Sequence, residues 1–462
     1  MKRSTASGVA LAVTMTVGLA ALGHGTASAH GPDRGAPTGG RQYDTTKTPY
    51  APQESPARYQ SAPRGFVPVF TENVARHGSR AMTDSSDGDA VLAVLAAAQA
   101  QGALTGLGKR LGPQVQALLA GASGIGYGNL SGRGVQEQRQ TALRMEQRLP
   151  ALFADITAEH EPIEVETSGV ARAVASANAF TGGLTAGDPA LAPLIQAPVT
   201  DKNLLYFHKQ PQNAAYQAYL ASDPELAAVT AAIDAEPGTA EAADHVVGRL
   251  FGRHFVAAMS ADDRTAFARS LYELYSAAPD LRVEAPGVDL GPFLAASDAR
   301  WFSYLDDAEE FYQKGPAFQG RTITYDMAGV LLDDLFAQVE QKADGTSDKG
   351  AVLRFTHAEE IEPLAVLLGL PGSTEPAAPG TPYSYANNPW RGAEVAPMAA
   401  NVQWDLYART PVGGASAGHG TEYLVRMLYN EKETAFKPSC KPVAKGGYFY
   451  DLNELEHCFG RG

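Results

Sequence analysis

Residues 66–74 (Phe-Val-Pro-Val-Phe-Thr-Glu-Asn-Val) are mostly apolar, rich in β-formers, and run directly into Arg76-His77-Gly78. The pattern predicts a buried strand that ends at a loop. A second strand is predicted over residues 163–165. It leads through Thr167-Ser168-Gly169 into an Ala-rich helix over 170–180, with Ser168 at the N-cap. A third strand over 352–355 ends at Thr356-His357 and is followed by helical spacing over 358–370. Each of these strand-to-helix junctions sets a polar or basic side chain at a strand's C-terminal end, the edge of an open α/β sheet where ligands bind.

Between the strands the pattern changes. Residues 85–159 and 211–319 are dominated by Ala, Leu, Gln, Glu and Arg at helical periodicity, as in 91–99, 135–149 and 264–275. They predict two helical insertions that together cap the sheet. A helix over 327–342 precedes the third strand. Alternation of Tyr423, Val425, Met427 and Tyr429 predicts a further strand over 421–429, antiparallel to its neighbours. No tandem repeat of a solenoid period is apparent. The α/β core is expected over 41–84, 160–210 and 320–462, and the helical cap over 85–159 and 211–319. That is enough chain for one large domain with an insertion, or for two domains around one cleft.

The ends carry other signals. Lys2 and Arg3 precede an apolar run over 9–22 and then Ala27-Ser28-Ala29, which predicts a secretory leader over 1–29 cleaved after Ala29. An uncleaved anchor is the weaker alternative, because the run is short for a membrane span. Residues 30–62 are rich in Gly, Pro, Ser, Thr and Gln and build no core alone, so residues 30–40 are expected to be a flexible linker. The chain has 37 basic and 51 acidic residues; without Lys2 and Arg3 it has 35 basic, and its net charge is −16. Such a chain is a poor nonspecific binder of nucleic acid, and an anionic substrate has to be drawn by a local basic cleft. With the leader removed, no membrane partner is expected. Cys440 and Cys458 are the only cysteines. In an exported chain they are expected to form a disulfide, rather than two free thiols or a metal pair.

The pentad Arg76-His77-Gly78-Ser79-Arg80 carries the strongest chemistry. At this composition Arg-His-Gly-x-Arg arises by chance in roughly a few chains per thousand. Metal-independent hydrolysis of a phosphate monoester needs a nucleophile, cations on the equatorial oxygens, and an acid for the leaving oxygen. His77 is the candidate nucleophile. Arg76 and Arg80 offer guanidinium forks to phosphate, and Gly78 permits close backbone approach. The alternative is a basic surface turn. His357-Ala358-Glu359 is weaker alone. His357 could contact phosphate and Glu359 could serve as general acid, its pKa raised by partial burial. Alternatively, His357 caps a helix whose N-terminal dipole Glu359 and Glu360 favour. Arg172 lies in the first turn of its helix, either as a third phosphate ligand or on a solvated face. His160, His208, His245, His254, His419 and His457 show no metal-ligand spacing. Gly124, Gly126 and Gly128 follow a helical stretch and do not form a nucleotide fingerprint. No cofactor is expected.

Taken together, the pentad, the Arg172-x-x-x-Ser176 helix and His357 resemble the histidine acid phosphatase branch (branch 2) of the histidine phosphatase superfamily. His-Ala-Glu in place of the commoner His-Asp is similar to the multiple inositol polyphosphate phosphatase, phytase-like subgroup. Thr46-Lys47-Thr48-Pro49-Tyr50, Leu130-Ser131-Gly132-Arg133-Gly134 and Asn430-Glu431 match it as well, so the resemblance spans residues 41–462. It implies an α/β fold, with a mixed, mostly parallel sheet flanked by helices and a helical cap. It also implies that residues 45–50 pack on the domain. By the same resemblance His77 becomes phosphorylated, Arg76, Arg80, Arg172 and His357 bind the scissile phosphate, and Glu359 donates the proton. The implied substrates are inositol hexakisphosphate and lower inositol phosphates, with 2,3-bisphosphoglycerate or broader phosphomonoesters as the alternative. A binding protein that has lost catalysis is a third reading. Lys47, Lys202 and Lys209 are candidate contacts to a polyanion by chain position. The sequence departs from the family where Ala81-Met82-Thr83 follows the pentad, since Pro commonly stands two residues after the second Arg.

Overall fold

The structure is a computed structural model and describes residues 43–409 and 422–461. The expected leader and linker, His419 and the Thr421 end of the last predicted strand lie outside the described residues. Eight strands, β1 (Phe66–Arg76), β2 (Ile163–Thr167), β3 (Val199–Thr200), β4 (Ala351–Thr356), β5 (Asn401–Arg409), β6 (Tyr423–Tyr429), β7 (Lys432–Glu433) and β8 (Phe449–Asp451), form one sheet. Its order is β3-β2-β4-β1-β5-β6-β7, with β8 also on β6. β3, β2, β4 and β1 pair in parallel, and the pairings from β1 through β5 to β8 are antiparallel. The sheet is thus mixed, with its parallel half on the side where the three strand-to-helix junctions lie. Pro68, which cannot donate to a ladder, stands where the β1–β5 register shifts.

Among the described residues sixteen α-helices accompany the sheet. Four lie between β1 and β2: α1 (Ser86–Ala100), α2 (Gly108–Ile125), α3 (Gly132–Arg148) and α4 (Pro150–Glu159). α5 (Ala171–Gly187) follows β2, and α6 (Lys202–Leu205) follows β3. Then come α7 (Ala214–Ser222), α8 (Pro224–Asp234), α9 (Pro237–Leu250), α10 (Arg253–Ala258), α11 (Ala261–Ala277) and α12 (Ala296–Gln313). α13 (Gly329–Ala343) leads into β4, and α14 (Ala358–Leu368) leaves it. α15 (Gly392–Val395) and α16 (Leu452–Cys458) complete the set. Among the described residues no helix is long and apolar enough to cross a membrane.

Both sheet faces are covered, which is why β4 is buried at every position. On one face Met145, Phe153 and Ile156 of α3 and α4 join Phe180 of α5 against Val165, Leu353 and Phe355. Residues 85–159 are therefore not all cap: α3 and α4 belong to the sheet layer. Only α1 and α2 go outward, where α1 meets α11 and α2 meets α9. On the other face Leu335 and Phe336 of α13 and Ile361 and Leu364 of α14 pack with Val74, Val352 and Trp404.

Residues 45–50 do pack on the domain. Tyr50 is buried, and its hydroxyl lies 2.8 Å from a carboxylate oxygen of Glu431. Cys440 and Cys458 are disulfide-bonded across 18 residues, a loop whose closure stabilises the tail by about 3 kcal/mol in the chain-entropy account.

Candidate active site

β1, β2 and β4 end side by side, with Arg76 level with Thr356 and Thr167 level with Phe355. The residue after each strand end is therefore delivered to one edge: His77 after β1, Ser168 after β2 and His357 after β4. The His77 and His357 ring centroids are 5.4 Å apart.

The His77 backbone is fixed on both sides, its N–H donating to Thr356 O at 2.9 Å and its carbonyl accepting from Ala399 N at 3.0 Å. Its Nδ1 lies 2.9 Å from Gly78 O. A carbonyl only accepts, so Nδ1 carries the proton and Nε2 keeps its lone pair. Burial, followed by the charges of Arg76, Arg172, His357 and Arg80, holds the ring well below the usual histidine range. His77 is thus a neutral, oriented imidazole among cations.

His357 is buried as well, and its Nε2 lies 2.9 Å from Ser168 Oγ. Ser168 Oγ already accepts from Val170 N at 3.3 Å, so its own proton can go to Nε2 and leave the ring proton on Nδ1. That Nδ1 is buried without a partner among the described residues. Burial, then Arg172, pushes the ring down to about 3. The expectation of Ser168 as an N-cap is corrected here. Val170 occupies the cap of α5, and Ser168 serves His357 instead.

Arg76 donates through Nη1 to the carbonyls of Thr46 and Ala396, which fixes its head between two distant segments. Arg80 lies on the loop after β1, and Arg172 in the first turn of α5. The Nε atoms of all three arginines are buried with no partner among the described residues. Among the described residues none of the three forms an ion pair with a carboxylate. Burial and crowding by Arg172 and Arg76 push Arg80 down to about 10, and burial also lowers Arg172. Unpaired like charges raise the free energy of a fold unless an anion joins them. All three guanidinium charges act on the His77 ring, a concentration of positive charge suited to an anion.

The loop itself is clamped by backbone pairing. Ser131 N donates to Ser79 O at 2.9 Å, Ala81 N to Asn129 O at 3.0 Å and Gly128 N to Met82 O at 2.7 Å. Segment 128–131 thus supplies the rigidity that a proline would give, although Ala81-Met82-Thr83 stands there. Gly78 and Gly134 meet face to face: a Cβ on Gly134 would lie 2.2 Å from Ser79 O, and one on Gly78 would lie 2.7 Å from Gly134 Cα. What approaches Gly78 closely is therefore the first turn of α3.

Glu359, in the first turn of α14, is partly open, and one carboxylate oxygen lies 3.5 Å from Lys314 Nζ. Burial alone would raise its pKa, but Lys314, His208 and His357 outweigh burial and hold it well below the usual range. The expected upward shift is thus corrected, and Glu359 is an anion here. Lys314, one residue beyond α12, also pairs with Glu310 at 2.6 Å.

The three lysines fare differently. Lys47 is bound up with Glu273 at 2.9 Å and Asp306 at 3.3 Å, and so offers no free charge. Lys202 and Lys209 are exposed on either side of Tyr206, whose ring centroid is 5.2 Å from that of His357. His208, read only as lacking metal spacing, is buried beside Tyr206 and lies 2.6 Å from Glu360. Sequence reasoning did not find Tyr206, Lys314 or the buried Glu137 and Asp280 behind Ser79. Each reaches the site across a long stretch of chain, and none stands in a motif.

A family model described as the histidine phosphatase superfamily (branch 2) matches residues 70–430. The chain is 24% identical over 339 residues to multiple inositol polyphosphate phosphatase 1 of Gallus gallus, spanning 71% of this chain and 70% of that one. It is also similar to the crystal structure of a Bifidobacterium longum multiple inositol polyphosphate phosphatase in complex with inositol hexasulfate. That similarity has 31% identity, a TM-score of 0.81, and coverage of 90% of this chain and 97% of that one. The phytase of D. castellii shares the fold at 16% identity with a TM-score of 0.64, over 90% of this chain and 84% of that one.

Proposed function

The chain belongs to branch 2 of the histidine phosphatase superfamily, in the multiple inositol polyphosphate phosphatase subgroup, and is a phosphomonoesterase; from that premise we propose that it hydrolyses inositol hexakisphosphate and lower inositol phosphates through a phosphohistidine. The observation that carries the reading is the set of three arginines, without carboxylate ion pairs among the described residues, whose charges act on a neutral His77 with its Nδ1 pinned to Gly78 O. The inositol class is supported by likeness to a relative whose crystal structure holds inositol hexasulfate.

The steps follow from the residues. Arg76, Arg80 and Arg172 neutralise the phosphoryl oxygens, and the Nδ1–H of His357 donates to one of them. The Nε2 lone pair of His77 attacks phosphorus while the bond to the inositol oxygen breaks. Water then attacks the phosphohistidine and releases inorganic phosphate. Glu359 protonates the leaving alkoxide. It is an anion in this structure, and a phosphate dianion placed beside it favours its protonation, so the substrate itself brings the acid into its working form. Lys202 and Lys209 are the remaining lysine candidates for the other phosphates of a polyanion. Residues 1–29 are read as the leader that exports the enzyme.

A second reading, a broad phosphatase acting on small esters such as 2,3-bisphosphoglycerate, draws on the neutralisation of Lys47 by Glu273 and Asp306. The test is kcat/KM on inositol hexakisphosphate against small monoesters in excess chelator, with His77→Ala as the blank. The proposal expects the inositol phosphates to be preferred and the blank to be inactive. Preference for the small esters selects the second reading, and turnover by His77→Ala places the nucleophile elsewhere.

A further inference from the structure

Behind the pentad, Ser79 Oγ lies 2.8 Å from Glu137 Oε1 and 2.8 Å from Asp280 Oδ1. All three side chains are buried. A hydroxyl has one proton, so it can donate to only one of the two carboxyls. The second contact closes only if the other carboxyl is protonated and donates to a Ser79 lone pair. Glu137 already accepts from Ser79 N at 2.7 Å and Tyr50 N at 3.0 Å, and Arg133 Nε lies 3.5 Å away. Those three contacts suit an anion. Among the described residues the Asp280 side chain hydrogen-bonds only to Ser79.

We infer that Asp280 is a positioning residue that is protonated in the working enzyme, a chain Asp280-COOH to Ser79-OH to Glu137-carboxylate holding the pentad at its middle. This rests on the phosphatase reading of the site. The charged groups that act on Asp280 are Glu137 from α3, then Arg80 and Arg76 from the loop after β1 and its strand end; nearby, Glu284 is engaged by Gly132 N and Arg133 by Pro279 O. On α11, Glu273 is engaged by Lys47. Burial, then Glu137, raises Asp280 well above the usual carboxylate range, and Ser79, Arg80 and Arg76 oppose without reversing it. Arg133 Nη1 donates to Pro279 O at 3.0 Å and Ser131 Oγ to Asp280 O at 2.7 Å, so the residue's backbone is fixed while its side chain holds Ser79. Loss of the proton would trap the Ser79 hydroxyl between two anions, beside the Arg80 that must meet phosphate.

The experiment compares wild type, Asp280→Asn and Asp280→Ala on p-nitrophenyl phosphate from acid to alkaline pH, with melting temperatures over the same range. An aryl ester needs little proton donation, so Glu359 does not set the alkaline limb. Asn presents an N–H where the acid presents O–H and cannot titrate. It is expected to keep the low-pH kcat within about threefold and to carry activity further into alkali than wild type. Ala loses the donor, and kcat is expected to fall roughly ten- to a hundredfold with little change in KM. A raised acid gives stability that is complete below its unfolded value and is lost as pH rises through its folded value. The melting temperature of wild type is therefore expected to fall relative to Asp280→Asn as pH rises. Coincident alkaline limbs for wild type and Asn, or equal activity of Asn and Ala, overturn the inference. If wild type itself shows no turnover, the phosphatase reading fails separately, and the melting comparison still decides where the proton sits.

Discussion

Gly134→Ala places one methyl group against the Ser79 backbone. The new carbon would lie 2.2 Å from Ser79 O and 2.9 Å from Ser79 N. An ordinary carbon–oxygen contact is about 1 Å longer, so either α3 or the pentad must retreat by that amount. Neither is free. Glu137 on α3 accepts from Ser79 N, Ser131 N at the cap of α3 donates to Ser79 O, and Gly78 N donates to Ser176 Oγ at 3.1 Å. Overpacking of this kind costs about 1–3 kcal/mol of stability. At roughly 2.1 cal/mol/K per residue, about 400 residues give an unfolding entropy near 0.8 kcal/mol/K, so the melting temperature should fall by only about 1–4 °C. A displacement of about 1 Å in an attacking group costs on the order of 100-fold in rate. The expected result is a protein folded at 25 °C with kcat on p-nitrophenyl phosphate down roughly 30- to 300-fold and KM changed far less. A kcat within threefold of wild type would show that the loop yields without moving His77, and would refute the claim that the Gly78–Gly134 contact sets its position.

Glu359→Gln should slow alkyl phosphates by roughly 10² to 10⁴ and aryl phosphates much less; equal losses on both would remove Glu359 from the acid role. Lys314→Met removes a cation that depresses Glu359, so its pKa should rise and the alkaline limb of kcat on an alkyl phosphate should move to higher pH; an unmoved limb would mean that Lys314 is purely structural. Stability should peak in mildly acidic solution. Burial raises Asp44 and Asp307 to about 7, so what they contribute is lost as pH rises from the ordinary carboxylate range through 7. His77 and His357 (down to about 3) are depressed by burial and arginines, so what they contribute is lost as pH falls below the ordinary histidine value near 6.5. A melting temperature that climbs steadily through pH 9 would contradict those directions.

The parts of this site that are local in the chain are legible in its sequence. β1 is an apolar run followed directly by the pentad, and a strand followed by its own loop needs no tertiary knowledge. The same holds for β4 and His357. β5 is different: Asn401, Gln403 and Asp405 alternate with Val402, Trp404 and Leu406, a strand pattern that suggests a wet polar face. That polar row is in fact buried, matched by Arg148 and Arg426 on Asp405 and by Tyr50 and Gln403 on Asn401. No period in one segment discloses partners supplied by others. Ser168 reads as a cap because Ser before a helix usually is one; its partner His357 lies 189 residues on. Glu359 misleads for a related reason, since its state is set by Lys314, just past the end of α12, rather than by its own burial.

Arg76 is held by the carbonyls of Thr46 and Ala396, and Tyr50 lies against Glu431, 381 residues away in the chain. A segment near residues 46–50 and segments near residues 396 and 431 are therefore stitched together beside the pentad. A ribosome that has made β1, β2 and even β4 has produced every strand that delivers a reacting side chain, yet not the clasp that aims Arg76. Contacts of such separation close late, after the loop entropy of the whole chain has been overcome. Hydrolytic power should thus appear abruptly at the end of folding, and a nascent chain should be harmless to the phosphate esters around it.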